Sequence, residues 1–224
     1  IRNARGGNFP DLIKIAKDCE VFGAQGITVH PRPDERHIRY NDVLNLTPVL
    51  KTEFNIEGYP SRKFMDLVLK VIPAQVTLVP DAPDAITSNA GWDTKNNQAL
   101  LTDLIAELKE NDIRTSLFVE PSLETIEYAA LIGSDRIELY TEEYAMDFQD
   151  NKEKAIEPFV KAAELANQLE LGVNAGHDLN LNNLNYFYQC IPNLMEVSIG
   201  HALISDALYF GLNETIALYL SKLK

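Results

Sequence analysis

Two rhythms of apolar and polar positions take turns along the chain. Short runs rich in Val, Ile and Leu stand at Gly26–His30, Phe54–Gly58, Gln75–Pro80, Arg114–Glu120, Arg136–Tyr140, Gly172–Gly176 and Met195–Gly200. Their length and content predict strands buried on both faces. Between them the spacing becomes helical. Leu12, Ile15, Cys19 and Phe22 share one stripe, and so do Leu101, Leu104, Ile105 and Leu108. Start and stop signals agree: Pro60-Ser61 and Pro121-Ser122 open helices, and Gly133 closes one.

Alternation of strand and helix predicts parallel strands with right-handed crossovers. Seven strands are visible. The chain opens on a polar loop, Arg2 to Gly7, that runs into a helix at Pro10. The expected fold is therefore α/β, a (β/α)8 TIM barrel whose first strand lies upstream of Ile1. No Pro/Gly/Ser-rich linker divides the 224 residues, so residues 1–224 are expected to form one domain. An open doubly wound sheet is the competing architecture.

Composition narrows the partners. The net charge of −13 argues against a general nucleic-acid or anionic-membrane surface. Most of the acid sits on predicted helix faces, where it is a solvated surface. No apolar run approaches the ~20 residues of a membrane span, and no signal peptide is visible. The two cysteines, Cys19 and Cys190, lack metal-like spacing and fit a reducing compartment, so a cytoplasmic location is expected.

In such a barrel the reactive residues belong at the C-terminal ends of the strands. All four histidines fall there. His30 ends the first run and His37 lies in the loop after it; His177 and His201 follow the sixth and seventh runs. Histidine suits proton transfer near neutral pH. Glu57 ends a run, and Glu138 lies between Ile137 and Leu139, so it faces the interior if they face the helices. A carboxylate there needs a partner. The structural alternative for Glu138 is an ion pair with Arg136 or Arg114.

Five of the eight arginines (Arg2, Arg5, Arg32, Arg36 and Arg39) lie in the first two loops. They suit bidentate phosphate binding; a surface ion-pair cluster with Asp34 and Glu35 is the alternative. Gly200-His201-Ala202 opens the last helical segment, where backbone N–H groups can meet an anion. No lysine ends a strand, which disfavours a Schiff-base aldolase, and no dinucleotide or P-loop fingerprint is present. A metal site built from His30, Glu57, Glu138 and His177 stays open by residue type. Residues 81–95 form a long connection carrying Thr87, Gly91 and the single tryptophan, Trp92; they are expected to act as a lid with Trp92 as its reporter.

These motifs resemble those of the pyridoxine 5′-phosphate synthase family. The resemblance rests on Arg2-Asn3-Ala4-Arg5-Gly6, the segment from Gly26 to Ile38, Asn55-Ile56-Glu57, Leu78-Val79-Pro80, Ser116-Leu117-Phe118, Val173 to His177, and Ile199 to Ala202, in that order. It implies condensation of 3-amino-2-oxopropyl phosphate with 1-deoxy-D-xylulose 5-phosphate, without metal or redox cofactor. It implies His30 and Glu57 as proton acceptors, His177 as donor and Glu138 as the stabilising carboxylate. It assigns Arg32, His37 and Thr87 to the pentulose phosphate, and Arg5, Asp178, Gly200 and His201 to the amino-ketone phosphate. It also implies a homo-oligomer, an octamer. Two departures stand out. The family's first strand, with its substrate-touching polar residues, is not in this chain, and position 178 is Asp where some relatives have Gly. The competing functions are a metal-dependent sugar-phosphate isomerase or epimerase on the same barrel, and a non-catalytic binding barrel.

Overall fold

The computed structural model describes residues 2–81 and 90–224, apart from the Arg5 side chain. A 3₁₀ turn, Asn3–Arg5, leads into α1 (Leu12–Val21). Strands and helices then alternate: β1 (Gly26–Val29), α2 (Tyr40–Leu46), β2 (Glu53–Gly58), α3 (Arg62–Val71), β3 (Gln75–Leu78) and α4 (Gln98–Lys109). The order continues with β4 (Arg114–Val119), α5 (Leu123–Ile132), β5 (Arg136–Tyr140), α6 (Glu142–Gln168), β6 (Gly172–Gly176), α7 (Leu184–Cys190), β7 (Leu194–Ser198), α8 (His201–Phe210) and α9 (Leu212–Ser221). All seven strands pair in parallel and in sequence order. The fold is the expected α/β barrel.

Local chemistry explains the boundaries. The first helix starts two residues later than Pro10, because Asp11 is its N-cap and accepts from the Lys14 N–H at 3.1 Å. Ser61 caps α3 by accepting from the Phe64 N–H at 3.3 Å. Gly133 ends α5 at φ 88°, in the left-handed region where a glycine costs least.

The central strands are buried on both faces, but the two faces differ in chemistry. Outward residues such as Ile56, Val76, Leu117, Ile137 and Val173 are fully buried against the helices. Inward residues are polar, and they bond across the barrel. Asn55 donates to Thr28 Oγ1 at 3.4 Å and accepts from Thr77 Oγ1 at 3.2 Å. Lower down, the Arg114 guanidinium donates to Gln75 Oε1 at 2.9 Å and pairs with Glu53. Arg136 pairs with Glu196 at 3.2 Å, and Asn174 and Gln75 both donate to the same Glu196 oxygen. Both arginines are thus committed to carboxylates other than Glu138.

Among the described residues β1 and β7 do not pair with each other. The Thr28 and Ser198 hydroxyls meet at 3.2 Å between them. A cavity of about 1270 Å³ runs from this opening to the barrel mouth, walled by apolar residues such as Leu12, Ile15, Ile27 and Leu203.

The proposed lid divides into two parts. Thr87 lies outside the described residues. Trp92, by contrast, is core: it is 5% exposed and its indole N–H donates to the Leu78 carbonyl at 3.0 Å. It stacks on Tyr59 at 6.3 Å. Gly91 lies so close to the Val119–Glu120 backbone that any Cβ would overlap it. Residues 91–92 thus pack against the barrel, and Trp92, expected to report on the lid, is buried.

Candidate active site

Five of the seven strands carry or lead to the candidate residues, four of them at or just beyond the C-terminal end and β5 at its middle. β1 leads to His30, β2 carries Glu57, β5 carries Glu138, β6 leads to His177, and β7 leads to Gly200 and His201. Two histidine–carboxylate pairs result. His30 Nδ1 lies 3.8 Å from Glu57 Oε2, and His177 Nδ1 lies 3.6 Å from Glu138 Oε1. Both carboxyl groups are buried, Glu138 to 1% exposure. Among the described residues neither Glu138 oxygen has a hydrogen-bond partner within the usual limit, so His177 is its nearest charge complement.

Burial and neighbours pull these groups apart in proton affinity. Burial, followed by the Glu138 carboxylate, pushes Glu57 up to about 8. Burial, followed by Arg32, pushes His30 down to about 4. Burial alone would also lower His177, but Glu138, Glu57 and Asp178 outweigh it and raise it to about 9. At neutral pH the mouth therefore holds a neutral imidazole, a protonated carboxyl and an imidazolium. Pairs of groups pushed apart in this way are a mark of acid–base sites.

His177 is held from several sides. Its ring centroid lies 4.6 Å from Phe118, and Tyr140 meets it edge-on at 5.9 Å. The Tyr140 hydroxyl donates to Glu142 at 2.8 Å. His177 has φ 79°, a left-handed conformation costly for a side chain of this kind, and its N–H donates to the Ser198 carbonyl at 3.2 Å. Gly176 precedes it, and a Cβ there would overlap Glu138 Oε1 and lie 2.8 Å from the Ser198 carbonyl. Phe118 and Tyr140 were not foreseen as supports for His177, although both stand near the ends of strand runs.

The predicted anion-binding residues divide. Gly200 is the N-cap of α8 and His201 its first residue, and both are exposed. The first N–H to bond back within that helix is that of Ile204, to Gly200 O at 3.0 Å. The preceding N–H groups have no acceptor within the helix. His37 is exposed in the loop after β1. Arg32 is buried and paired with Asp81 at 2.9 Å, a partner the sequence did not suggest. The Asp178 N–H is committed to Thr141 Oγ1 at 3.2 Å and the Gly176 carbonyl at 3.3 Å. A contact from residue 178 to a ligand must therefore come from its carboxyl group, which burial pushes up. Arg5 sits in the first 3₁₀ turn. Among the described residues, no three of His, Cys, Asp and Glu are grouped to hold a metal ion.

The model of the family described as pyridoxal phosphate biosynthesis protein PdxJ matches residues 1–224. The chain belongs to the PdxJ family. A pyridoxine 5′-phosphate synthase of Parabacteroides distasonis is 67% identical over 219 residues, covering 98% of this chain and 92% of the relative. The protein of the same name from Flavobacterium johnsoniae is 61% identical over 224 residues, covering all of this chain and 94% of the relative. More distant solved structures share the fold alone. A phosphoribosylanthranilate isomerase of Thermotoga maritima gives a TM-score of 0.61 at 14% identity, covering 94% of this chain and 93% of its own. A 4-hydroxy-2-oxoglutarate aldolase gives 0.65 at 14% identity, covering 96% and 88%. The two His–Glu pairs of this chain stand at the mouth of the barrel. No helix among the described residues is long and apolar enough to cross a membrane.

Proposed function

We infer that this chain is a pyridoxine 5′-phosphate synthase, condensing 3-amino-2-oxopropyl phosphate with 1-deoxy-D-xylulose 5-phosphate. The observation that carries the chemistry is the convergence of His30–Glu57 and His177–Glu138 on one barrel mouth in a PdxJ-family chain. Imine formation, phosphate elimination, dehydration and ring closure all move protons and need no outside electrons. Several acid–base groups at one mouth suit that sequence of steps.

The roles follow from proton affinity. His30, neutral at working pH, accepts protons. His177, kept cationic by Glu138, donates them. Glu57 rests protonated, so it donates first and accepts once that proton has left, a refinement of the acceptor role expected for it. Glu138 stays paired with His177 and stabilises positive charge. Arg5, Arg32, His37, Thr87, Asp178, Gly200 and His201 hold the two phosphates. The support is the run of N–H groups at the α8 terminus and the exposure of His37 in the loop that follows β1. The reading includes one barrel domain over residues 1–224, with an eighth strand closing the space between β1 and β7. It also includes self-assembly, an octamer by resemblance, and a cytoplasmic setting. Sedimentation measures the first of these two.

The direct test is a turnover assay with both phosphorylated substrates and detection of released phosphate. Turnover is expected; its absence with active-site groups intact would leave a binding barrel. Exhaustive chelation is expected to leave the rate unchanged, because side chains supply every proton transfer. Loss on chelation and recovery with a divalent ion would favour the isomerase or epimerase reading.

The pH dependence has a definite sign. Glu57 loses its proton near 8 and His177 near 9, so kcat/KM is expected to fall as pH rises through that range. On the acid side, His30 gains a proton only near 4, so activity is retained well below neutrality. A profile still rising at pH 9.5 would contradict these assignments.

A further inference from the structure

The turn that opens the chain and the loop after β1 are joined by side chains that take no part in proton transfer. Asn3 is the centre of the joint. Its Nδ2 faces the carbonyls of Glu35, Arg36 and His37 at 3.2, 3.0 and 3.1 Å. Its Oδ1 accepts from the Arg39 guanidinium at 2.6 Å. Arg2 adds a second tie, donating to the His37 carbonyl at 3.2 Å and forming a two-pronged pair with Asp42. Asp42 in turn accepts from the Arg39 N–H at 2.7 Å, closing the N-terminus of α2. The loop needs such ties. Glu35 sits at φ 55°, where a non-glycine residue is strained, and the Tyr40 N–H donates to its side chain at 2.7 Å.

A short planar amide is the side chain that can do this. It offers donors to one strand of backbone and an acceptor to a guanidinium from the same rigid group. Asp would keep the guanidinium and turn an oxygen on the carbonyls; Ala would lose both sides.

We propose that Asn3, clasped by Arg39, is a positioning residue that makes the Arg5-bearing turn and the His37-bearing loop one body. This rests on the reading above that Arg5 and His37 hold the two substrate phosphates. The clasp then sets both phosphate-binding ends at once, and loosening it weakens both substrates together while the His–Glu pairs keep working.

The test compares wild type, Asn3→Asp and Asn3→Ala. KM for each substrate is measured with the other saturating, alongside kcat and the melting temperature. Asn3→Asp is expected to raise both KM values about tenfold, the scale of losing a hydrogen bond beside charged groups, with kcat within about threefold. Asn3→Ala is expected to raise both by a smaller factor, and it decides the matter if the Asp variant does not fold. A rise in KM for one substrate only, unchanged KM values, or a fall in kcat alone would overturn the clasp. Absence of turnover in the wild type would instead overturn the functional reading beneath it, and the clasp with it.

Discussion

Replacing Glu57 with Gln, or His177 with Asn, is expected to lower turnover by about 10²-fold or more while the barrel stays folded. Glu57→Gln keeps the shape and a hydrogen-bond donor but removes the transferable proton. His177→Asn removes the imidazolium that Glu138 holds at 3.6 Å. Neither change opens a large void, since both residues stand at the mouth rather than in the helix-packed layer. Steady-state kinetics with phosphate detection gives the rate, and melting temperature checks the fold. Near-normal turnover in both variants would make these residues structural and remove the acid–base account.

The second large effect is expected from a residue with no side chain. Gly176→Ala places a methyl group onto Glu138 Oε1 and 2.8 Å from the Ser198 carbonyl. Both are flanked by paired backbone, so the carboxylate is what moves. Turnover is expected to fall by about 10-fold or more, because misplacing a reacting group by an ångström can cost as much as about 10²-fold. Stability should fall by about 1–3 kcal/mol from overpacking. The diagnostic is the pH profile. With Glu138 pushed away, His177 loses the carboxylate that does most to hold its proton, so the alkaline limb should move to lower pH. An unchanged limb in a folded, slowed variant would show that Glu138 does not set the His177 proton.

Much of this could be read along the chain. The seven strand runs fall where the seven strands are, within a residue or two, because each is a short apolar run bounded by helical spacing. The site residues were legible for the same reason: in a barrel a strand end is a place, so His30, Glu57 and His177 could be located before any contact was known. Partnerships were not legible. Glu138 had Arg136 and Arg114 as candidate partners, yet Arg136 reaches Glu196, sixty residues away, and Arg114 reaches Glu53. Such pairings depend on the stagger of strands, which no local pattern encodes. The burial of Trp92 was not legible, because a loop-like composition says nothing of a carbonyl waiting at Leu78. The central strands are buried on both faces, as their content suggests, but the inward face is polar. Thr28, Asn55, Thr77 and Asn174 alternate with apolar neighbours, which is the signature of a polar interior.

That interior has a bearing on how the chain assembles. A β-strand turned by one residue exchanges its two faces completely. If β4 slipped by one position, Arg114 and Ser116 would enter the helix layer and Thr115 and Leu117 would face the barrel axis. The Arg114 guanidinium would lose Gln75 and Glu53 together and be stranded among hydrocarbon. An oily lumen would tolerate such a slip with little loss. A lumen of matched donors and acceptors rejects it, so the groups lining the barrel also proofread its registration.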